Sequence, residues 1–289
     1  MKKNKIALGT VQFGMNYGIN NKRGKIPSHE VFEILTEALS SGIDTLDTAS
    51  VYGNSEEVIG EFIKENKKDF KVVSKLPRCD FNEIEKAVDD SLKKLSIKKL
   101  YGYLVHNFTD YKGNPAIFNK LRTIKSDGKI NKTGFSIYFP EELEYIYKKE
   151  KKVDIIQVPY NIFDRRFEKY FERLKKAGTE IHVRSIFLQG LFLKNPDKLD
   201  KHFVKAKEKI RNLNLLSKKI NIPIIALCLN FAVFNRFIDK VIVGIDNIAN
   251  LKEILDSIRY FADFKEISDK LQDFRERDEN IILPMNWKV

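Results

Sequence analysis

Residues 42–53 read Gly-Ile-Asp-Thr-Leu-Asp-Thr-Ala-Ser-Val-Tyr-Gly. The first glycine follows a helical stretch, where a left-handed C-cap costs it nothing sterically. A short β-branched run, Thr45–Thr48, comes next and carries an acid, Asp47; a phenol, Tyr52, stands just beyond its end. A strand that starts at a helix stop and ends in reactive side chains is one repeat of an α/β sheet with its chemistry at the strand carboxyl ends.

Working outward from this stretch, short β-branched runs alternate with longer segments of helical periodicity, which predicts a parallel sheet. The strands are expected at Ile6–Thr10, Thr45–Thr48, Lys71–Lys75, Tyr101–His106, Lys132–Ser136, Ile155–Pro159, Glu180–Ser185 and Lys240–Gly244. Such a set closes into a (β/α)8 TIM barrel, α/β in class, with residues 1–289 as a single domain. Among the helices, Asp80 is expected as an N-cap with Glu83 completing a capping-box variant, and Phe81, Ile84, Val88, Leu92 and Leu95 as the buried stripe. Gly128 and Gly178 repeat the stop seen at Gly42, and Pro140 suits a first helical turn.

One interval breaks the rhythm. Between Ser185 and Lys240 there is room for an excursion, Ile186–Asp200, and for helices over Lys201–Lys219 and Ile224–Phe234. It reads as an enlarged connection after the seventh strand, on the functional face. The apolar stretch Asn280–Trp287 is expected to pack, either near the pocket mouth or over barrel-side helices.

Composition narrows the function classes. With 43% hydrophobic and 32% charged residues, the chain has the makings of an ordinary core. Its net charge of +12 comes from lysines spread through helices beside Glu and Asp, as in residues 81–100, so a solvated surface is expected and no nucleic-acid partner. Cys79 and Cys228 offer neither a disulfide scaffold nor a metal-ligand spacing, so no metal is expected and a reducing cytoplasm fits. The opening Met-Lys-Lys-Asn-Lys is too short for a signal core, and no apolar run approaches a membrane span.

The strand ends carry the chemistry. Asp47 and Tyr52 follow the second strand, Lys75 ends the third and His106 ends the fourth. A phenol gives up its proton reluctantly at neutral pH, and an ammonium beside it stabilises the phenolate. Lys75 is that ammonium, and Asp47 is the carboxylate available to keep it charged. His106 is placed to orient a carbonyl oxygen or relay a proton.

Asp47, Tyr52, Lys75 and His106 together resemble the Asp-Tyr-Lys-His tetrad of the aldo-keto reductases, most closely the bacterial members of carbohydrate metabolism. The resemblance extends to Leu8-Gly9-Thr10, Gly42–Ala49, Gly134-Phe135-Ser136, Gln157–Asn161 and Gly244–Asn247. It implies a reductase that converts an aldehyde or ketone, a sugar or another small polar carbonyl, to an alcohol. Tyr52 would be the general acid, Lys75 and Asp47 would tune it, and His106 would position the carbonyl, with hydride from a bound nicotinamide cofactor. The implied cofactor contacts are Gly9, Thr10, Asp47, Ser136, Gln157, Arg184, Ser185, Gly244, Asp246 and Asn250.

The sequence departs from the family at three places. Ile137 replaces the usual Asn after the fifth-strand Ser. Val183-Arg184-Ser185 replaces a stacking aromatic, so that Arg184 is expected flat on the nicotinamide or at a cofactor phosphate. Asp246, Asn247 and Asn250 stand where NADP-binding members carry cations. Family habit favours NADP(H), with Lys252 or Arg259 approaching in space, while the local acid leaves NAD(H) possible. The short polar connection Asn107–Pro115 predicts an open pocket. A second reading, from a different class, is a catalytically silent cofactor-binding regulatory or scaffold protein of the same fold.

Overall fold

Each of the eight runs expected as strands becomes one. The computed structural model describes residues 4–19, 21, 23–261 and 267–287. Its strands are β1 (Ile6–Gly9), β2 (Thr45–Asp47), β3 (Lys71–Leu76), β4 (Leu100–Val105), β5 (Ile130–Ser136), β6 (Ile155–Pro159), β7 (Glu180–Arg184) and β8 (Lys240–Gly244). Each pairs in parallel with the next, and β8 pairs with β1, so the sheet closes into an eight-stranded barrel.

Helices surround it, most of them amphipathic and α8 almost wholly apolar and buried: α1 (Ser28–Ser40), α2 (Ser55–Asn66), α3 (Ile84–Lys94), α4 (Ala116–Ser126), α5 (Pro140–Lys149), α6 (Phe171–Lys176), α7 (Lys207–Lys219), α8 (Ile224–Phe234) and α9 (Ile248–Ser257). α3 shows the logic. Ile84 and Val88 are buried with the following Leu95 while the Lys/Glu face meets water, each such side chain contributing about 1.5–3 kcal/mol of burial. Pro140 opens α5 as expected, and the Glu142 carboxylate accepts from the backbone N–H groups of Tyr138 and Phe139 at 2.7 and 3.0 Å. Gly42, Gly128 and Gly178 take positive φ (77°, 86° and 77°) directly after a helix. No single helix among the described residues is long and apolar enough to cross a membrane.

Two local expectations need correction, and a third is decided between its two alternatives. The Asp80 side chain makes no cap bond; the Glu83 N–H bonds the Asp80 carbonyl at 2.9 Å instead. The reason is a 3-10 first turn, Phe81–Glu83, which closes on backbone and rotates Phe81 out to 40% exposure. Lys201–Lys219 likewise opens with a 3-10 segment, Lys201–Ala206, before α7 begins. The carboxyl-terminal stretch packs on that segment, with the Trp287 ring 4.8 Å from Phe203, and does not line the central cavity.

Side chains alternate across a strand, and this period places the site. On β3 Lys71, Val73 and Lys75 share the lumen face, on β7 Glu180, His182 and Arg184, and on β8 Lys240, Ile242 and Gly244. Val73, Leu104 and Ile155 form the apolar middle of the lumen. At its amino-terminal end a polar plug closes the barrel: Lys132 and the Tyr101 hydroxyl both bond Glu180, His182 Nε2 stands 3.5 Å from it, and Lys71 and Lys240 pair with Asp44.

Burial alone would raise the Glu180 carboxyl. The groups around it, His182, Lys132 and Tyr101, outweigh that and hold it down at about 2. A carboxyl depressed in the folded state contributes stability above its unfolded value, near 4.3, and loses it as pH falls towards about 2. We expect Glu180→Gln to cost on the order of 1–2 kcal/mol at pH 7 after solvent screening. Urea midpoints measured from pH 6 downwards should converge with those of wild type in that acid window; a constant gap would show that the ion pairs do not carry the effect.

Candidate active site

The segment after β2 is held by backbone and hydroxyl groups. Thr10 N–H and Oγ1 both donate to the Asp47 carbonyl, at 3.0 and 3.1 Å. Ser55 Oγ donates to Thr10 at 2.9 Å and lies 3.2 Å from Thr48 Oγ1. Tyr52 N–H bonds the Ala49 carbonyl at 3.0 Å, and Gly53 follows with φ 57°. Gly14 and Gly53 are pressed together: a Cβ on Gly14 would lie 1.7 Å from the Tyr52 carbonyl oxygen, and one on Gly53 2.3 Å from the Gly14 oxygen. Sequence reasoning missed this pair, whose role is to seat the Tyr52 turn against the β1 connection.

Four side chains converge at the carboxyl-terminal mouth. Lys75, 1% exposed, donates from Nζ to Asp47 Oδ1 at 2.6 Å and to the Thr48 carbonyl at 2.7 Å. The same Nζ stands 5.2 Å from the centre of the Tyr52 ring. His106 meets Tyr52 edge to face, with ring centres 6.3 Å apart. Burial alone would depress Lys75, but the negative charge of Asp47, with Tyr52 adding, holds it above its ordinary value, so it is an ammonium. His106 goes the other way. Burial first, then the charges of Lys75 and Arg184, push it down to about 3, so at neutral pH it is a neutral imidazole with one N–H to donate.

Asp47 also reaches across the barrel. Its Oδ2 accepts from Gln157 Nε2 at 2.6 Å, and Gln157 Oε1 accepts from Ser136 Oγ at 3.3 Å. β2 and β6 are opposite each other in the ring of strands, so this bond runs through the lumen.

A cavity of about 730 Å3 opens above these groups. Gly9, Thr10, Asp47, Tyr52, His106, Ser136, Gln157, Arg184, Ser185, Gly244, Asp246 and Asn250 all line it. Lys75 does not; it lies beneath Asp47. None of residues 107–115 borders the cavity. Other lining residues were not anticipated, among them Gln12, Tyr17, Arg23, Tyr138 and Gln189. Tyr138 could have been found, because it follows Ser136 at the same strand end; Tyr17 and Gln189 lie far apart in sequence and meet only in space, Gln189 Nε2 donating to the Tyr17 hydroxyl at 2.8 Å. The segment that brings Gln189 there is strained, with Ser185, Leu188 and Gln189 at φ 61°, 48° and 50°.

The Arg184 guanidinium stacks on Tyr138 at 3.9 Å and donates from Nη2 to the Ile137 carbonyl at 3.1 Å. Ile137 itself is buried, its side chain 1% exposed. Lys252 borders a separate groove with Phe32 and Phe62, and Arg259 bonds Tyr260, so neither cation reaches the cavity. The cation beside Asp246 is Arg23, whose Nη1 and Nη2 pair with the Glu30 carboxylate at 3.0 and 2.8 Å.

The cavity suits a dinucleotide on its own features. Gly9 and Gly244 keep the strand ends low; a Cβ on Gly244 would come within 3.0 Å of Gln12 Nε2. Gln12 Oε1 is buried without a protein partner among the described residues. Gln12 Nε2 bonds Asp246 Oδ1 at 3.3 Å, and the Asp246 carboxyl is raised chiefly by burial, against the Gln12 bond and the Arg23 charge.

A closed (β/α)8 barrel thus gathers an acid, an ammonium, a phenol and an imidazole at its carboxyl-terminal mouth, groups that can exchange protons. The sequence model of the aldo/keto reductase family matches residues 5–272, and the chain belongs to that family. It is 27% identical over 182 residues to the uncharacterized oxidoreductase YqkF of Bacillus subtilis, covering 58% of this chain and 59% of that one. Against the glyoxal reductase of the same organism it is 28% identical over 177 residues, 58% and 62% of the two chains. The chain thus matches about three fifths of the length of these curated relatives. Among solved structures, the holo form of aldo-keto reductase AKR11C1 from Bacillus halodurans superposes with a TM-score of 0.75 at 20% identity, covering 96% and 94% of the two chains. The glycerol dehydrogenase AKR11B4 of Gluconobacter oxydans gives 0.74 at 21% identity, covering 93% and 91%.

The Asp47–Lys75 pair sets a stability test. Asp47→Asn leaves a buried ammonium without its counter-charge and should destabilise the fold by about 3–5 kcal/mol. Adding Lys75→Met should recover part of that loss in urea unfolding at neutral pH; a double variant as unstable as the sum of the two single changes would deny the coupling.

Proposed function

We propose that this protein is an NAD(P)H-dependent oxidoreductase that reduces the carbonyl of a sugar or another small polar aldehyde or ketone to an alcohol. The observation that carries the reading is a buried ammonium, Lys75, held charged by Asp47 beside the Tyr52 ring at the floor of an open cavity. Tyr52 is the general acid. Lys75 stabilises the phenolate left when the proton departs, and Asp47 keeps Lys75 protonated and in place. His106, neutral, donates its N–H to the carbonyl oxygen and so aligns the substrate with Tyr52. When bound, a reduced nicotinamide supplies the hydride to the carbonyl carbon. Ser136 and Gln157 would hold its carboxamide, and Gly9, Thr10, Ser185, Gly244, Asp246 and Asn250, which line the same cavity, would hold the rest of the dinucleotide. Glyoxal and glycerol, named for two of the similar proteins, are small and polar, which supports the substrate class. The unpaired thiols of Cys79 and Cys228 support a reducing cytoplasm.

For the adenosine end we propose NAD(H) over NADP(H). The wall there is made of Asp246, Asn247, Asn250 and Glu253, and Arg23 is already paired with Glu30. Carboxylates accept from a ribose diol and repel a 2′-phosphate.

Tyr52→Phe should lower kcat/KM for an aldehyde by about 10²- to 10⁴-fold while leaving cofactor affinity unchanged, measured by initial rates and by nicotinamide fluorescence titration. Full turnover by the Phe variant would remove Tyr52 from its role. Tight cofactor binding by wild type with no turnover across a broad aldehyde panel would instead favour the silent scaffold. In the same titration NADH should bind more tightly than NADPH, and Asp246→Ser should narrow the gap; tighter NADPH binding in wild type would reverse the assignment.

A further inference from the structure

The lumen of this barrel carries several cations, and almost all have carboxylate partners. Lys75 pairs with Asp47, Lys132 with Glu180, and Lys71 and Lys240 with Asp44. Arg184 is different. It sits on the same inward face of β7 as Glu180 and His182, is half-buried, lines the cavity, and has no carboxylate within ion-pair distance among the described residues. A guanidinium has five N–H donors. The protein uses Nη2, on the Ile137 carbonyl at 3.1 Å, and it fixes the plane by stacking on Tyr138 at 3.9 Å. Removing a cation partly from water without a counter-charge is costly unless a ligand supplies one.

Position decides which ligand. The contacts of Arg184 are at the end of β5, away from Asp246 and Asn250 after β8, and its charge is felt at His106, Lys75 and Tyr17. That is the reacting end of the cavity. The Tyr17 hydroxyl there accepts from Gln189, so its own hydrogen remains to be donated. With the His106 N–H and the Tyr52 hydroxyl, this end is rich in donors, while its one carboxylate, Asp47, is engaged by Lys75 and Gln157.

We propose that the substrate is an oxo acid, with a carboxylate received by Arg184 and assisted by the Tyr17 hydroxyl, so that its carbonyl is held at Tyr52 and His106. This deepens the reductase reading and rests on it. In the reaction the carbonyl carbon gains hydride from a reduced nicotinamide, the oxygen gains the Tyr52 proton, the C=O π bond is lost, and the carboxylate is unchanged.

The test compares wild type with Arg184→Gln and Arg184→Lys on two matched pairs, glyoxylate against glycolaldehyde and 4-oxobutanoate against butanal, at saturating reduced cofactor. Wild type should prefer the charged member of at least one pair by roughly tenfold or more. Arg184→Gln should lower kcat/KM for that oxo acid roughly thirtyfold more than for its neutral counterpart, chiefly through KM, and Arg184→Lys should restore part of the difference. Equal losses on both members with weakened cofactor binding would place the cation on a cofactor phosphate and overturn the proposal, as would a wild-type preference for the neutral aldehydes. If wild type turns over none of the four, the reductase reading fails. Calorimetric binding of glycolate then decides the anion site separately: loss on Arg184→Gln upholds it, and equal or absent binding rejects it.

Discussion

The structure depends on one carboxylate inside the barrel. Asp47 binds an ammonium from the adjacent strand with one oxygen and an amide from the opposite strand with the other. A one-residue slip of β2 would turn Leu46 or Thr48 into the lumen and leave Lys75 buried and unpaired, a loss of several kcal/mol. The register that closes the barrel and the register that assembles the site are therefore held by the same bonds. Ordering costs for Lys75 and Gln157 are met in the fold itself, before any ligand arrives, which is the condition for a preorganised site.

This explains what could be read before any coordinates. All eight strands were legible to within two residues, because period-2 patterning between helix stops depends only on local sequence. Asp47, Lys75 and His106 were legible as reactive side chains at strand ends, and Gly9, Ser136, Gln157, Arg184 and Gly244 through the family resemblance; in the structure the alternation of the strands places them on the lumen side. The family resemblance supplied their roles. The structure supplied their contacts, including the unanticipated engagement of Gln157 with Asp47.

What escaped depends on long-range geometry. Tyr17 and Gln189 are separated by most of the chain and share a hydrogen bond only because the β7 connection turns through three non-glycine residues with positive φ. Arg23 approaches Asp246 through its ion pair with Glu30, which brings a β1 connection beside the β8 helix. No periodicity reports such meetings. Capping failed at Asp80 for a different reason: a sequence pattern specifies which side chain is available, whereas a 3-10 first turn had already satisfied the backbone donor.

The formal charge of +12 is a poor guide to the field a ligand meets. Surface lysines answer acids on neighbouring helices, as Lys120 does Glu85 and Lys129 does Asp89, and are screened within a Debye length. Inside the cavity the charges are few and partly desolvated. Arg184 contacts the end of β5, whereas Asp246 and Glu253 follow β8 with Arg23 beside them. Among the cations near the site, the Lys75 charge is balanced by Asp47 at 2.6 Å and Arg23 is paired with Glu30, so Arg184 is the one without a carboxylate partner among the described residues.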